Sequence, residues 1–156
     1  MALTIAWGET GYTQVVGELA ELDRLEQRAE DAIANGDPEG AALSMGKAAL
    51  MAGLLAKNQE TKNARLLYQA AEILFRGQEQ GFRALALFER AGGQPPASKG
   101  VCQFLSHSAE QVRKSQKNLM ALADLHTSLL ERQRRHIAKT QEWEDLLQGL
   151  QQDFSC

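Results

Sequence analysis

The chain of 156 residues is rich in Ala, Leu, Gln, Glu, Lys and Arg and poor in Val, Ile, Thr and aromatic residues, which favours α-helix and excludes a mainly β-sheet protein. Its length suits one domain with a single core. The net charge of −3 at pH 7 is slight, so the distribution of charge along the chain bears more on partners than the total does.

Residues 1 to 12 contain two glycines and no helical period, so we predict an irregular N-terminal arm there. From Thr13, a candidate N-cap, apolar residues recur at steps of three and four, which is typical of an amphipathic helix. Asn35-Gly36 is predicted to end this helix. Asp37-Pro38 then supplies an N-cap followed by the proline that commonly opens a helix.

The second predicted helix, from Pro38 to about Asn58, carries small residues along one stripe. Glycine inside a helix costs about 1 kcal/mol relative to alanine, so we expect a neighbouring helix to approach closely and compensate. The small residues are Ala42, Gly46, Ala49, Gly53 and Ala56.

Two shorter helices are predicted next, one from Thr61 to about Gly77 and one from Phe82 to Ala91. Glycines and prolines at residues 92 to 96 end the second of them. The predicted organisation is therefore a four-helix body over residues 13 to 93, followed by a Gly/Pro linker over residues 94 to 97.

Beyond the linker, residues 98 to 154 follow one helical pattern that Ser98 opens, with a candidate interruption at residues 106 to 108. We predict a long C-terminal helix and, for the whole chain, an all-α antiparallel bundle. Heptad counting gives the long helix a seam with apolar ends and a polar centre. Two placements of the seam stay open: against the four-helix body, or against a partner protein or a second copy. In the second case the expected anchors are Leu119, Leu122, Leu129, Trp143, Leu147 and Leu150.

Large and small residues recur in residues 65 to 96 at the positions typical of a tetratricopeptide unit. The matching residues are Tyr68, Ala71 and Phe75, then Ala84, Phe88, Ala91 and a proline at position 95 or 96. This segment resembles that helix-turn-helix family, with a weaker echo at residues 25 to 48 that does not keep the family's spacing of about 34 residues. Glu72 also stands where the family has glycine. The resemblance implies helical hairpins and an adaptor that binds peptide segments or helices of partner proteins along a groove.

A polar stripe lies on the face of the third predicted helix opposite Tyr68 and Phe75. It consists of Arg65, Gln69, Glu72 and Arg76. We expect Arg65, Gln69 and Arg76 to contact a partner.

Charge is uneven along the chain. Residues 1 to 60 carry ten acidic and four basic side chains, residues 61 to 140 carry six and thirteen, and residues 141 to 156 carry four acidic ones. The basic middle either pairs with acidic segments of the chain or of a second copy, or binds an anion. The anion-binding alternative is a small helical subunit of a nucleoprotein complex, with phosphate contacts through Arg132, Arg134, Arg135 and Lys139.

No residue pattern nominates a catalytic, metal or cofactor site. Cys102 and His107 fall on different faces of a helix, and His107 with Glu110 is one pair of helix ligands where a metal site needs several. A glycine-rich phosphate loop is missing from the sequence. We therefore expect no enzyme, no metal and no cofactor.

The two cysteines, Cys102 and Cys156, show no metal, redox or disulfide-framework spacing. We therefore expect a buried structural Cys102 and a cytoplasmic protein. The longest apolar stretch, residues 48 to 56, is well short of the roughly 20 residues that a membrane-spanning helix needs. Together the patterns favour a non-enzymatic protein-protein interaction module, such as an adaptor, an assembly factor or a chaperone-like subunit, that binds a partner helix or forms a homo-oligomer.

Overall fold

The structure, a computed structural model, describes the backbone of residues 9 to 156 and the side chains of residues 16 to 156. These residues form five α-helices and no strand, which confirms the all-α class. The helices are α1 (Glu9–Ala34), α2 (Pro38–Lys57), α3 (Lys62–Arg90), α4 (Lys99–Met120) and α5 (Thr127–Asp153). Because α1 begins at Glu9, the part of the predicted arm from residue 9 to residue 12 is helical, and the rest of the arm lies outside the described residues.

Several helix ends follow the capping residues in the sequence. Asp37, Thr61 and Ser98 each accept a hydrogen bond from the backbone N–H three residues later, at 2.8, 3.3 and 3.2 Å. Gly36, with φ +74°, follows α1, a backbone conformation that glycine adopts without steric cost. The predicted end of the first helix and the predicted caps at these positions are confirmed.

Consecutive helices pack against each other in antiparallel order, and α3 lies between α2 and α4. The small stripe of α2 faces α3, as predicted. Its three alanines are buried, and a Cβ added to Gly46 or Gly53 would come within 3.1 or 3.0 Å of a carboxylate oxygen of Glu79 or Glu72. Small residues therefore let α3 approach α2 closely.

The prediction of two short helices separated near Gly77 and Gly81 is wrong, because α3 is unbroken from residue 62 to residue 90. A Cβ added at Gly77 would lie 3.1 Å from Val112 Cγ2, and one at Gly81 would lie 2.5 Å from Trp143 Cζ3. These glycines allow α4 and α5 to approach α3 and do not end a helix. The predicted four-helix body is thus three helices, and the tetratricopeptide hairpin implied for residues 65 to 96 is not formed.

The single long helix predicted over residues 98 to 154 is also wrong. No break occurs at residues 106 to 108, and the chain turns instead at residues 121 to 126. Asn63 Nδ2 donates a 2.8 Å hydrogen bond to the carbonyl of Ala123, and Gln133 Nε2 donates one of 2.8 Å to the carbonyl of Leu119. Polar side chains thus bond carbonyls left free at the end of α4, and α5 folds back along α4.

The C-terminal end of α5 is joined to the start of α4. Cys102 and Cys156 form a disulfide with their Cα atoms 5.5 Å apart, and Phe154 stacks on Phe88 with ring centroids 3.7 Å apart. The expectation that the cysteine spacing gives no disulfide is wrong, because antiparallel packing of α4 and α5 brings together residues that are 54 apart in sequence. The cysteines therefore no longer support a reducing compartment.

Candidate protein-binding surface

The predicted heptad seam faces the core of its own chain. Leu119, Trp143 and Leu147 are almost fully buried. The other three predicted anchors, Leu122, Leu129 and Leu150, are partly buried and pack against the core. All six pack within their own chain because α5 turns back on the bundle, which is the first of the two placements that the sequence left open.

Two of the predicted phosphate contacts pair with one carboxylate of α1. Arg132 lies 3.0 Å and Arg135 lies 3.5 Å from Oδ1 of Asp23. Arg134 is exposed. A phosphate that bound Arg132 or Arg135 would therefore compete with Asp23.

Lys139, the fourth predicted phosphate contact, pairs with carboxylates on both sides. Its Nζ lies 3.3 Å from Glu30 on α1 and 3.2 Å from Glu142 on α5. Burial lowers the pKa of Lys139, but the hydrogen bonds and charges of Glu142 and Glu30 outweigh burial and raise it. These pairs join the acidic first segment of the chain to its basic middle within one molecule.

An exposed row of three leucines runs along α2. Leu43, Leu50 and Leu54 expose 61%, 60% and 53% of their surface. Their spacing places them on one face of the helix, opposite the face that forms the core. Apolar side chains exposed next to each other are typical of contact sites for other proteins. We call these three residues the leucine row.

Basic side chains flank the leucine row on α2 itself. Lys47 and Lys57 are exposed, and their spacing from Leu50 places them on the same helical face. The apolar row therefore has positive charges beside it.

The polar stripe predicted on α3 lies next to the row. Arg65 and Gln69 are exposed, and Arg76 is partly exposed. Glu79 meets α2 at Gly46 and is nearly buried. It accepts hydrogen bonds from Arg76 at 2.8 Å and from its other neighbour on α3, Arg83, at 2.6 Å. Arg76 and Arg83 thus share one carboxylate. With Arg65, the arginines of this edge outnumber its two carboxylates, Glu79 and Glu72, the second of which meets α2 at Gly53, so the edge keeps a small positive charge.

A groove opens between α2 and α3 at the Leu43 end of the row. It has a volume of about 380 Å³, and Arg90 pairs with Glu39 at 2.9 Å beside it. Its apolar wall includes Leu87 and Phe104. The groove offers a place for a bulky side chain of a bound helix.

The leucine row was missed in the sequence because α2 is apolar on all sides, so its period did not separate an inner face from an outer one. Side-chain size was the sequence feature that could have distinguished the inner face of α2 from its outer face. Alanines and glycines occupy the face that meets α3, whereas Leu43, Leu50 and Leu54 lie on the outer face.

Comparisons with known proteins identify no relative: no family model, curated protein or solved structure matches the chain. Among the side chains that the structure describes, those of residues 16 to 156, no group of three or more His, Cys, Asp or Glu is arranged to hold a metal ion. None of the described helices has both the length and the apolar content required to cross a membrane.

Proposed function

We propose that this chain is a non-enzymatic protein-interaction module that binds an amphipathic helix of another protein on the leucine row of α2. The exposure of Leu43, Leu50 and Leu54 on a helix whose other face is core supports this most strongly. Fully burying a leucine contributes roughly 1.5–3 kcal/mol relative to leaving it in water. Three such residues supply the apolar anchors that helix-in-groove recognition uses, as in adaptors, assembly factors or chaperone-like subunits.

The expected partner helix carries carboxylates beside its apolar stripe. Lys47 and Lys57 flank the row on α2, and Arg76 and Arg83 flank it on α3. Complementary charges at the edge of an interface favour one partner and speed association. A second copy of the chain fits less well, because two-fold pairing of this surface would bring its own bases together.

The alternative function, a subunit that contacts nucleic-acid phosphates, has less support. Arg132, Arg135 and Lys139 already pair with carboxylates of the chain, and phosphate binding would have to replace those pairs.

A pull-down with two variants tests the proposal. Leu50→Lys places a charge in the leucine row, and Met120→Lys is the matched control, since Met120 is 65% exposed on α4, which α3 separates from α2. We expect one protein to be retained by the wild type and by Met120→Lys but lost by Leu50→Lys. Crosslinks from that protein should fall on Lys47 or Lys57.

Three outcomes would contradict this function. The first is that no protein is retained by any form, and the second is that the retained protein is indifferent to Leu50→Lys. The third is a homodimer, seen by size-exclusion chromatography with light scattering, that Leu50→Lys dissociates, since the row would then bind a second copy.

A further inference from the structure

A cleft separates α1 from α5 on a part of the bundle distinct from the leucine row. The two helices run in the same direction, and ion pairs rather than backbone packing join them. The cleft has two parts, of about 220 and 480 Å³. Four residues line both parts, namely Glu26, Glu30, Lys139 and Glu142, so the two parts adjoin each other.

Three polar side chains in the walls of this cleft each have a buried atom without a hydrogen-bond partner among the described residues. These atoms are Oε1 of Glu26, Oε1 of Gln78 and Nε2 of His136. Gln78 and His136 are only 6% and 2% exposed. Gln78 lines the smaller part of the cleft, His136 lines the larger part, and Glu26 lines both. Since buried polar atoms in proteins are nearly always bonded, the two unpartnered oxygens of Glu26 and Gln78 beside the smaller part indicate a site for a hydrogen-bonding ligand there.

The charges of the cleft specify the sign of that ligand. Asp23 pairs with two arginines, and Lys139 pairs with Glu30 and Glu142. Glu26 alone among the carboxylates lining the cleft has no ion pair among the described residues. Burial raises the pKa of Glu26 to about 7, against the opposing effect of Arg135. A positive charge beside Glu26 would complete the pairing and stabilise its ionised form.

The smaller part of the cleft also has an apolar wall. Phe82 and Trp143 meet there edge to face, with ring centroids 4.9 Å apart. Leu146 and Ile33 line the same space. A ligand that fits both walls has a cationic end and a hydrocarbon end.

We propose that the cleft between α1 and α5 binds a small primary amine in its ammonium form, with N–H groups donated to Glu26 and Gln78 and its hydrocarbon part packed against Phe82 and Trp143. An ammonium group has three donors and no acceptor, so it suits two unpartnered acceptor oxygens.

The titratable and charged groups that act on the pKa of Glu26 or line the larger part of the cleft with it all lie on α1 and α5. They are Asp23, Glu30, Arg132, Arg135, His136, Lys139 and Glu142. Tyr68 of α3 interacts with two of them, Asp23 and Arg132. Burial, aided by Arg132 and Arg135, lowers the pKa of His136 to about 3, so His136 stays neutral near neutral pH. The wall formed by α2 and α3 adds only neutral side chains.

Fluorescence titration tests the proposal on a Trp7→Phe background, which leaves Trp143 as the only tryptophan. The probes are phenethylammonium chloride and the neutral 2-phenylethanol. We expect saturable binding of the amine that is about tenfold tighter at about pH 8 than at about pH 6, because Glu26 ionises between them while the amine stays protonated. The alcohol should bind much more weakly.

Three variants locate the site. Glu26→Gln should weaken amine binding at about pH 8 by about tenfold and remove its pH dependence. Gln78→Leu should weaken binding but keep the pH dependence, which preserves the test if the first variant fails to fold. Glu131→Gln, which removes an exposed carboxylate of α5 outside the cleft, should bind like the parent.

The proposal is overturned if the amine does not bind saturably at either pH, if the alcohol binds equally well, or if neither Glu26→Gln nor Gln78→Leu weakens binding. An additional probe, Nα-acetyl-lysine methylamide, separates the sources of an ammonium group. Binding of this probe more tightly than n-butylammonium would assign the cleft to a lysine side chain of a partner and overturn the proposal of a free amine.

Discussion

Replacing Gly81 with alanine should destabilise the fold, although alanine is the better helix former. The helical preference of alanine alone would stabilise α3 by about 1 kcal/mol. The added methyl group, however, would lie 2.5 Å from Cζ3 of Trp143 and 3.1 Å from Oγ of Ser108. Trp143 is buried and packed edge to face on Phe82, so moving its ring away from the added methyl group would disrupt that contact.

Overpacking a tight core costs up to about 3 kcal/mol, which leaves a net loss of about 2 kcal/mol for Gly81→Ala after the helical gain. Gly149→Ala is the matched control. It also lies inside a helix, but apart from its chain neighbours and the nearby backbone of its own helix, no heavy atom of the described residues lies within 4 Å of the added Cβ. The substitution should therefore stabilise the protein by about 0.5–1 kcal/mol.

Urea unfolding followed by far-UV circular dichroism measures both free energies. The thermal midpoint should fall by about 4–8 °C for Gly81→Ala and rise by about 1–4 °C for Gly149→Ala. If Gly81→Ala stabilises the protein as the control does, α3 does not pass close to Trp143, and the explanation given for the unbroken helix is refuted.

Replacing Cys102 and Cys156 with serine should lower the free energy of unfolding by about 4 kcal/mol. This is the chain-entropy contribution of a crosslink between residues 54 apart. A thermal melt of the wild type that is unchanged by reductant would contradict the pairing. Glu26→Gln should not change stability below about pH 4.5 but should raise it above about pH 7 by up to about 3 kcal/mol. The reason is that the raised pKa of Glu26 makes the folded state hold its proton more tightly, so the wild type loses that stability as pH rises through 7; identical pH profiles in denaturant titrations would show that Glu26 is not buried. Leu50→Lys should change the unfolding free energy by less than about 0.5 kcal/mol. Leu55→Lys should unfold the protein, because Leu55 is fully buried. Equal losses of unfolding free energy in the two variants would show that the leucine row is not exposed.

Local chemistry explains which helix ends were predictable. Asp37 with Pro38, and Ser98, act on backbone groups within a few residues, so the sequence there contains the whole cause. Gly77 and Gly81 illustrate the opposite case. The sequence alone does not show whether a glycine ends a helix or makes room for a neighbouring helix. For Gly81 the difference depends on the position of Trp143, which is far along the chain.

The turn between α4 and α5 could not be predicted for a related reason. Residues 121 to 126 contain neither glycine nor proline, and Asp124 adopts φ +54°. The turn is stabilised by distant side chains, such as Asn63, which bonds the carbonyl of Ala123. Without that turn, a heptad count continues through the break and joins residues of two helices into one apparent seam.

The residues of the candidate site were also only partly predictable from the sequence. Periodicity located Arg65, Gln69 and Arg76 on an exposed face of α3, and their role in partner contact stays a prediction. Periodicity alone could not show whether the apolar seam at residues 119 to 150 belongs to this chain's core or to another protein's, since both use the same spacing.

The asymmetry of α2 is the strongest physical reason to expect a partner. Close packing of α2 on α3 requires small residues on the inner face, and that requirement is met by alanine and glycine. It places no demand on the outer face, where lysine, glutamate or glutamine would form helix as well as leucine does. Leu43, Leu50 and Leu54 therefore contribute little to the folding of the isolated chain and leave an apolar row in water, which favours association. A binding surface accounts for these three leucines, whereas the stability of the isolated bundle does not.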